Sequence, residues 1–141
     1  MPTALSDDEH QALAEFRHQI RRYLRFAEGA AREAGLLPQQ YQALLALKGM
    51  PPEQPTIGDL ADYLQIQPHS AVTLVDRLEE RDLVRRQPGE EDRRKVFVIL
   101  TPEGERMLRR LAAAHRAELQ TIGPSLVRTL SRLIADAQTA E

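Results

Sequence analysis

Cysteine is missing from all 141 residues. That gap excludes a disulfide framework, a thiolate metal site and a thiol redox switch. Long apolar runs are missing as well. No stretch approaches the roughly 18 uninterrupted apolar residues of a membrane-spanning helix, and the opening MPTALSDDEH lacks the apolar core of a secretion signal. The expectation is a cytoplasmic chain that crosses no membrane. Glycine-rich phosphate loops are absent, no serine stands in a nucleophile elbow, and the paired acids fall on helix surfaces or a turn. No enzyme is expected. The histidines are His10, His18, His69 and His115; His10 and His18 share a rough helical face but stand eight residues apart, too far to chelate one ion. Neither a metal nor a cofactor is expected.

What is present reads as globular. Hydrophobic residues make up 42% of the chain and charged residues 28%, a balance that supports a buried core rather than disorder. Ser6 and Glu9 have the spacing of a capping box, in which each side chain satisfies a backbone N–H at the other end of the turn. From there Leu13, Phe16, Ile20, Tyr23, Ala27, Ala30 and Ala34 recur at steps of three and four, and Gly35 supplies a stop. Pro38 suits the first turn of a second helix. It follows Leu37, where a capping Ser or Thr would be usual, and the missing cap costs roughly 1 kcal/mol. Tyr41, Leu44, Leu45 and Lys48 give that helix one face, and the prolines of GMPPEQP prevent it from continuing.

Thr56 caps the next helix with Asp59 three positions on. Ile57, Leu60, Ala61 and Leu64 then form a stripe at i, i+3, i+4 and i+7. After a short turn, Pro68 opens a helix whose Ala71, Leu74, Val75 and Leu78 repeat the stripe. Two short helices joined this way make a helix-turn-helix, or equally any helical hairpin. The runs LVRRQ and KVFVILT, rich in β-branched residues and separated by a loop containing Pro88-Gly89, read as a β-hairpin. Helix, turn, helix, hairpin is the order of a winged helix. Thr101-Pro102 then starts another helix, with Leu108, Leu111, His115, Leu119 and Ile122 along one side. Gly123-Pro124 is expected to break it, with a last helix from about Ser125 carrying Leu126, Val127, Leu130, Leu133, Ile134 and Ala137.

IGDLADYL, PHSAVTLVDRLEERDLV and EDRRKVFVILTPEG together resemble the multiple-antibiotic-resistance regulator (MarR) family of bacterial winged-helix transcription factors. The resemblance covers essentially the whole chain. Its most specific part is Val75-Asp76-Arg77-Leu78-Glu79 leading to Leu83-Val84, then Asp92-Arg93-Arg94, then Leu100-Thr101 with Gly104. The resemblance implies a mainly α fold with a small β-hairpin wing. It implies a homodimer in which residues 1–35 and 102–141 form dimerisation helices, while residues 36–101 form a winged helix-turn-helix. It implies double-stranded DNA with a pseudo-palindromic operator as the partner, and repression relieved by a small aromatic effector. Oxidation-sensing relatives carry a cysteine in the first helix; this chain has none, which excludes peroxide sensing by thiol chemistry.

With the apolar stripe of the second short helix buried, its opposite face carries His69, Ser70, Thr73, Asp76, Arg77 and Glu80. A helix in the major groove offers mainly its N-terminal residues to base edges. His69, Ser70 and Thr73 are therefore candidate readers, and Arg77 a candidate for a phosphate or a guanine. An ordinary solvated face is the alternative. These readers are short or weakly discriminating, so DNA shape is expected to supply much of the preference. On the wing, Arg94 resembles the family's minor-groove arginine and Asp92 the carboxylate that orients it. A narrow minor groove concentrates negative potential, and a guanidinium is its natural partner. Arg85, Arg86, Arg93 and Lys95 are candidates for phosphates. Five bases against Glu90, Glu91 and Asp92 leave the hairpin locally basic in a chain whose formal charge is −2.

The expected function is a homodimeric, sequence-specific transcriptional repressor. Rival readings are a winged helix used for protein contact, with the wing gripping an acidic partner, and an architectural DNA-binding protein. An effector pocket is expected where the first, second and fifth helices meet the winged helix, lined by Phe16, Tyr23, Tyr41 and His115.

Overall fold

A computed structural model describes residues 3–139, with side chains described as far as residue 135. The order is α1 (Asp7–Glu33), α2 (Pro38–Gly49), α3 (Ile57–Leu64), α4 (Pro68–Glu80), β1 (Val84–Pro88), β2 (Val96–Leu100) and α5 (Pro102–Thr139). The chain divides into a central unit, Ala30–Ala113, and an outer unit made by the segments up to Gly29 and from Ala114. Among the described residues, no helix is long and apolar enough to cross a membrane.

The central unit is the winged helix-turn-helix. Its core forms where the predicted stripes converge: Leu36, Leu44, Leu60, Val75, Leu78, Leu83, Val84 and Val98 are almost wholly buried. Burying side chains of this kind stabilises a fold by roughly 1.5–3 kcal/mol each. The Thr56 cap is reciprocal, with Asp59 N–H on Thr56 Oγ1 at 3.1 Å and Thr56 N–H on Asp59 Oδ2 at 2.9 Å. At α2 only half of such a box exists. The Leu37 N–H donates to Gln40 Oε1 at 2.9 Å, and leucine has no acceptor to return. Gln65, in the left-handed region at φ 56°, ends α3 and turns the chain toward α4.

The hairpin pairs antiparallel in the register Val84 with Leu100, Arg86 with Val98 and Pro88 with Val96. Its inner strand gains a further edge, since the Val98 N–H donates to the Pro55 carbonyl at 2.9 Å. A proline keeps its acceptor though it lacks a donor, so the proline-rich linker can still close the sheet. Thr101 joins hairpin to helix: its hydroxyl donates to the Asp82 carbonyl at 2.5 Å and accepts the Gly104 N–H at 3.0 Å. A Cβ at Gly104 would stand 2.0 Å from the Leu83 carbonyl oxygen, so only glycine allows this approach.

In the outer unit α1 and α5 run antiparallel. Gln19 donates to Ser125 Oγ at 2.8 Å, while Tyr23 and Phe26 meet His115 edge-on at 6.4 and 6.0 Å. Ser6 starts α1 as expected in part: its hydroxyl accepts the Glu9 N–H, but the Glu9 carboxylate takes the hydroxyl proton rather than the Ser6 N–H. One expectation fails. α5 runs unbroken through Gly123-Pro124. Proline inside a helix costs roughly 3 kcal/mol because a backbone bond is lost. Here the Gln19–Ser125 bond ties α5 to α1 one residue beyond the proline, and Thr121 and Thr129 donate back to the Ala117 and Ser125 carbonyls. Ala137, expected on the last apolar face, lies outside the described side chains.

Candidate nucleic-acid interface

α4 is amphipathic in the expected sense. Ala71, Leu74, Val75 and Leu78 are buried, and His69, Ser70, Thr73 and Arg77 are exposed. The four exposed residues line one groove of about 230 Å³, opposite Leu37 and Gln39 at the start of α2. The Thr73 hydroxyl donates to the His69 carbonyl at 3.1 Å, which leaves its oxygen lone pairs turned outward as an acceptor.

Strand alternation separates the two bases of β1, and the other three lie in the turn between the strands. Arg85 pairs across the sheet with Ile99 and is exposed. Arg86 shares its face with buried Val84 and with its cross-strand partner Val98, so it points back toward α4. There Nη2 donates to Asp76 Oδ1 at 2.5 Å, Nη1 donates to Glu79 Oε1 at 2.6 Å, and the Arg86 N–H donates to Glu79 Oε2 at 3.1 Å. Asp76 and Glu79 were absent from the site expected from sequence. The alternation Val84, Arg86 carried the signal that this arginine faces inward.

At the tip, Asp92 organises the turn. Its Oδ1 accepts the Arg94 N–H at 3.0 Å and Nε at 3.1 Å, and its main-chain carbonyl accepts the Lys95 N–H at 3.1 Å. The guanidinium and N–H of Arg94, together with the charge of Lys95, hold the Asp92 carboxyl below the usual carboxylate range. Gly89 allows the chain to close, because a Cβ there would stand 2.5 Å from the Asp92 carbonyl oxygen. The Arg94 side chain is 92% exposed. Arg93 and Lys95 flank it, also exposed. Among the described residues neither these two nor Arg85 forms an ion pair.

The four effector candidates are distributed between the units. Tyr41 lies in the core of the central unit. In the outer unit Tyr23 faces His115 and Phe16 is half-buried, while Phe26, missed in the sequence, is the second ring against His115. Burial lowers the His115 pKa and raises that of Tyr23, so both are held neutral near pH 7.

Helix-turn-helix, paired strands and a cationic tip define a winged helix-turn-helix protein. The MarR family model matches residues 34–95. AbsC, a MarR family transcriptional regulator from Streptomyces coelicolor, is 25% identical; the match covers 99% of this chain and 100% of AbsC at a TM-score of 0.74. A probable transcriptional regulator from Pseudomonas aeruginosa is 30% identical, with 86% of this chain and 92% of that one covered at a TM-score of 0.62. The HTH-type transcriptional repressor MdtR of Bacillus subtilis (strain 168) is 28% identical over 83 residues, 59% of this chain. That match spans about half of MdtR, 52% of its length. This chain belongs to the MarR family.

Proposed function

We propose that the chain is a cytoplasmic, homodimeric, sequence-specific DNA-binding transcriptional regulator that acts as a repressor and is released by a small aromatic effector. The observation that carries this reading is the display of Arg94. A carboxylate fixes its backbone and its Nε, yet the guanidinium stands almost wholly in solvent at the end of a hairpin. A cation placed in that way is prepared for a polyanion's groove. The exposed face of α4 supplies the second contact, with His69, Ser70 and Thr73 toward base edges and Arg77 toward a phosphate or guanine. Arg85, Arg93 and Lys95 meet phosphates. Family membership and the naming of MdtR as a repressor support the direction of regulation. Family membership also supports an effector.

The outer unit supports the dimer. Leu13, Leu24, Leu119, Val127, Leu130 and Ile134 are between 39% and 62% exposed there, apolar side chains that a second copy would cover. Covering them would bury on the order of 2,000 Å² or more, the range of permanent interfaces. The test is a gel shift of the full chain on its own upstream DNA, with and without excess random competitor at stated salt, alongside sedimentation. A dimer that holds its operator against competitor is expected. Equal affinity for both DNAs would make it an architectural protein, and no shift at all would favour a protein-contact module.

A further inference from the structure

We infer that Arg86 is a positioning residue rather than a phosphate contact, and that with Asp76 and Glu79 it couples the wing to the recognition helix. This deepens the DNA-binding reading and rests on it. Arg86 lies on β1, and Asp76 and Glu79 lie on successive turns of the outer side of α4, three residues apart. One guanidinium spans both carboxylates at 2.5 and 2.6 Å. Glu79 takes both the side chain and the main-chain N–H of Arg86, so the strand as well as the side chain is tied to the helix. Only arginine can do this, since its planar fork offers two directed donors to two acceptors, where lysine offers one compact charge.

Three features separate this arginine from the other four bases of the hairpin. Its side chain is only 27% exposed, its face of the strand is the one carrying Val84, and its charge is already matched by two acids. A cation so matched would have to break two charge-assisted bonds before it could release counterions from a phosphate. The geometry has a functional consequence. α4 and the wing must reach adjacent grooves of one duplex together. A brace between them fixes the interval at which bases are read, and operators with another interval are then read poorly.

The prediction reverses simple electrostatics. Neutralising Asp76 and Glu79 removes negative charge beside DNA, which by itself would tighten binding. If the acids hold the brace, the double variant Asp76→Asn, Glu79→Gln must instead bind its operator less well. Arg86→Ala should do the same, and adding it to the double variant should bring little further loss, because all three changes remove one unit. The loss is expected on operator DNA, with affinity for random DNA and the slope of log affinity against log salt both little changed.

The experiment measures the full chain in two ways. Hydrogen exchange of the Val84–Gln87 amides is followed without DNA, and affinity for operator and random DNA is followed across a salt series. Under the proposal Arg86→Ala and the double variant each speed wing exchange by about tenfold, Arg86→Lys recovers part of the protection, and both lower the operator-to-random ratio. Unchanged exchange in the DNA-free protein would overturn the brace. So would a salt slope that falls by roughly one unit per protomer in Arg86→Ala together with tighter binding by the double variant, since Arg86 would then be a phosphate contact. If exchange responds as expected but the unsubstituted protein shows no operator preference, the brace stands and it is the sequence-specific reading that fails.

Discussion

The base and the tip of the hairpin each hold an arginine beside carboxylates, and they use the pairing in opposite ways. At the base, Arg86 spans Asp76 and Glu79 and is 27% exposed. At the tip, Arg94 leans on Asp92, two residues away, and is 92% exposed. The first joins two consecutive elements, through residues seven and ten positions apart, and engages both Nη groups of the cation. The second is local; it shapes a turn, engages Nε at 3.1 Å and Nη2 only at 3.4 Å, and leaves Nη1 facing solvent. A count of basic residues cannot tell these apart, though only one of them is displayed to solvent.

The largest effect should come from breaking the tip. Arg94→Ala removes the displayed cation and should lower operator affinity by about 2–3 kcal/mol, more than one phosphate contact contributes. Fluorescence anisotropy on operator DNA, with a thermal melt to verify folding, is the measurement. An unchanged affinity would move the interface away from the wing.

Asp92→Asn sharpens the contrast further. It keeps the size of the side chain and removes the charge that organises the Arg94 N–H and Nε. Operator affinity should fall by part of the Arg94→Ala loss. Loss of an acid near DNA predicts the reverse sign, so tighter binding would mean that the acids of the tip have no specific role. Arg93→Ala and Lys95→Ala, as phosphate contacts, should weaken operator and random DNA alike and lower the salt slope by roughly one unit each. Thr73→Ala and Ser70→Ala should each lose about 1–3 kcal/mol at particular operator positions only. Binding to a panel of single-base operator variants checks this, and an unchanged specific-to-random ratio would remove α4 from the major groove.

Much of the architecture was legible because it is written in periods. The stripes Ile57, Leu60, Ala61, Leu64 and Ala71, Leu74, Val75, Leu78 mark helix faces, and Thr56 and Thr101 mark the starts of α3 and α5 with hydroxyls that do form the caps. Pro124 misled for the same reason that local rules work at all: the cost of a proline is local, while the bond between Gln19 and Ser125 that ties the helix to α1 beside it joins residues 106 positions apart. The inward aim of Arg86 could be read from its alternation with Val84. Its partners could not, because Asp76 and Glu79 come within reach only after the chain has turned from α4 into β1. Phe26 was overlooked beside Phe16 because the heptad seam places Tyr23 and Ala27 on the packed face; His115 reaches round to the residue between them.

The smallest expected effect is a null one, and it tests whether the tip is a fixed ion pair. Asp92 has its pKa lowered by Arg94 in the folded chain. A depressed carboxylate stabilises the fold above its unfolded value, near 3.9, and that contribution is lost only as pH falls through the still lower folded value. Between pH 8 and pH 5 the Asp92–Arg94 pair therefore stays fully ionised. His115 behaves differently, since burial lowers its pKa and favours the neutral ring. As pH falls below about 6.5 the unfolded chain binds a proton that the folded chain resists. Stability then declines until the depressed folded value is passed, and His115→Phe should flatten that decline in a thermal melt. Affinities alone would mix the two groups, so the informative quantity is the ratio of unsubstituted protein to Arg94→Ala on operator DNA at each pH. That ratio should be constant from pH 8 to pH 5 even while the melting temperature drops. A ratio that collapses near pH 6 would place a titrating group other than Asp92 in control of the tip.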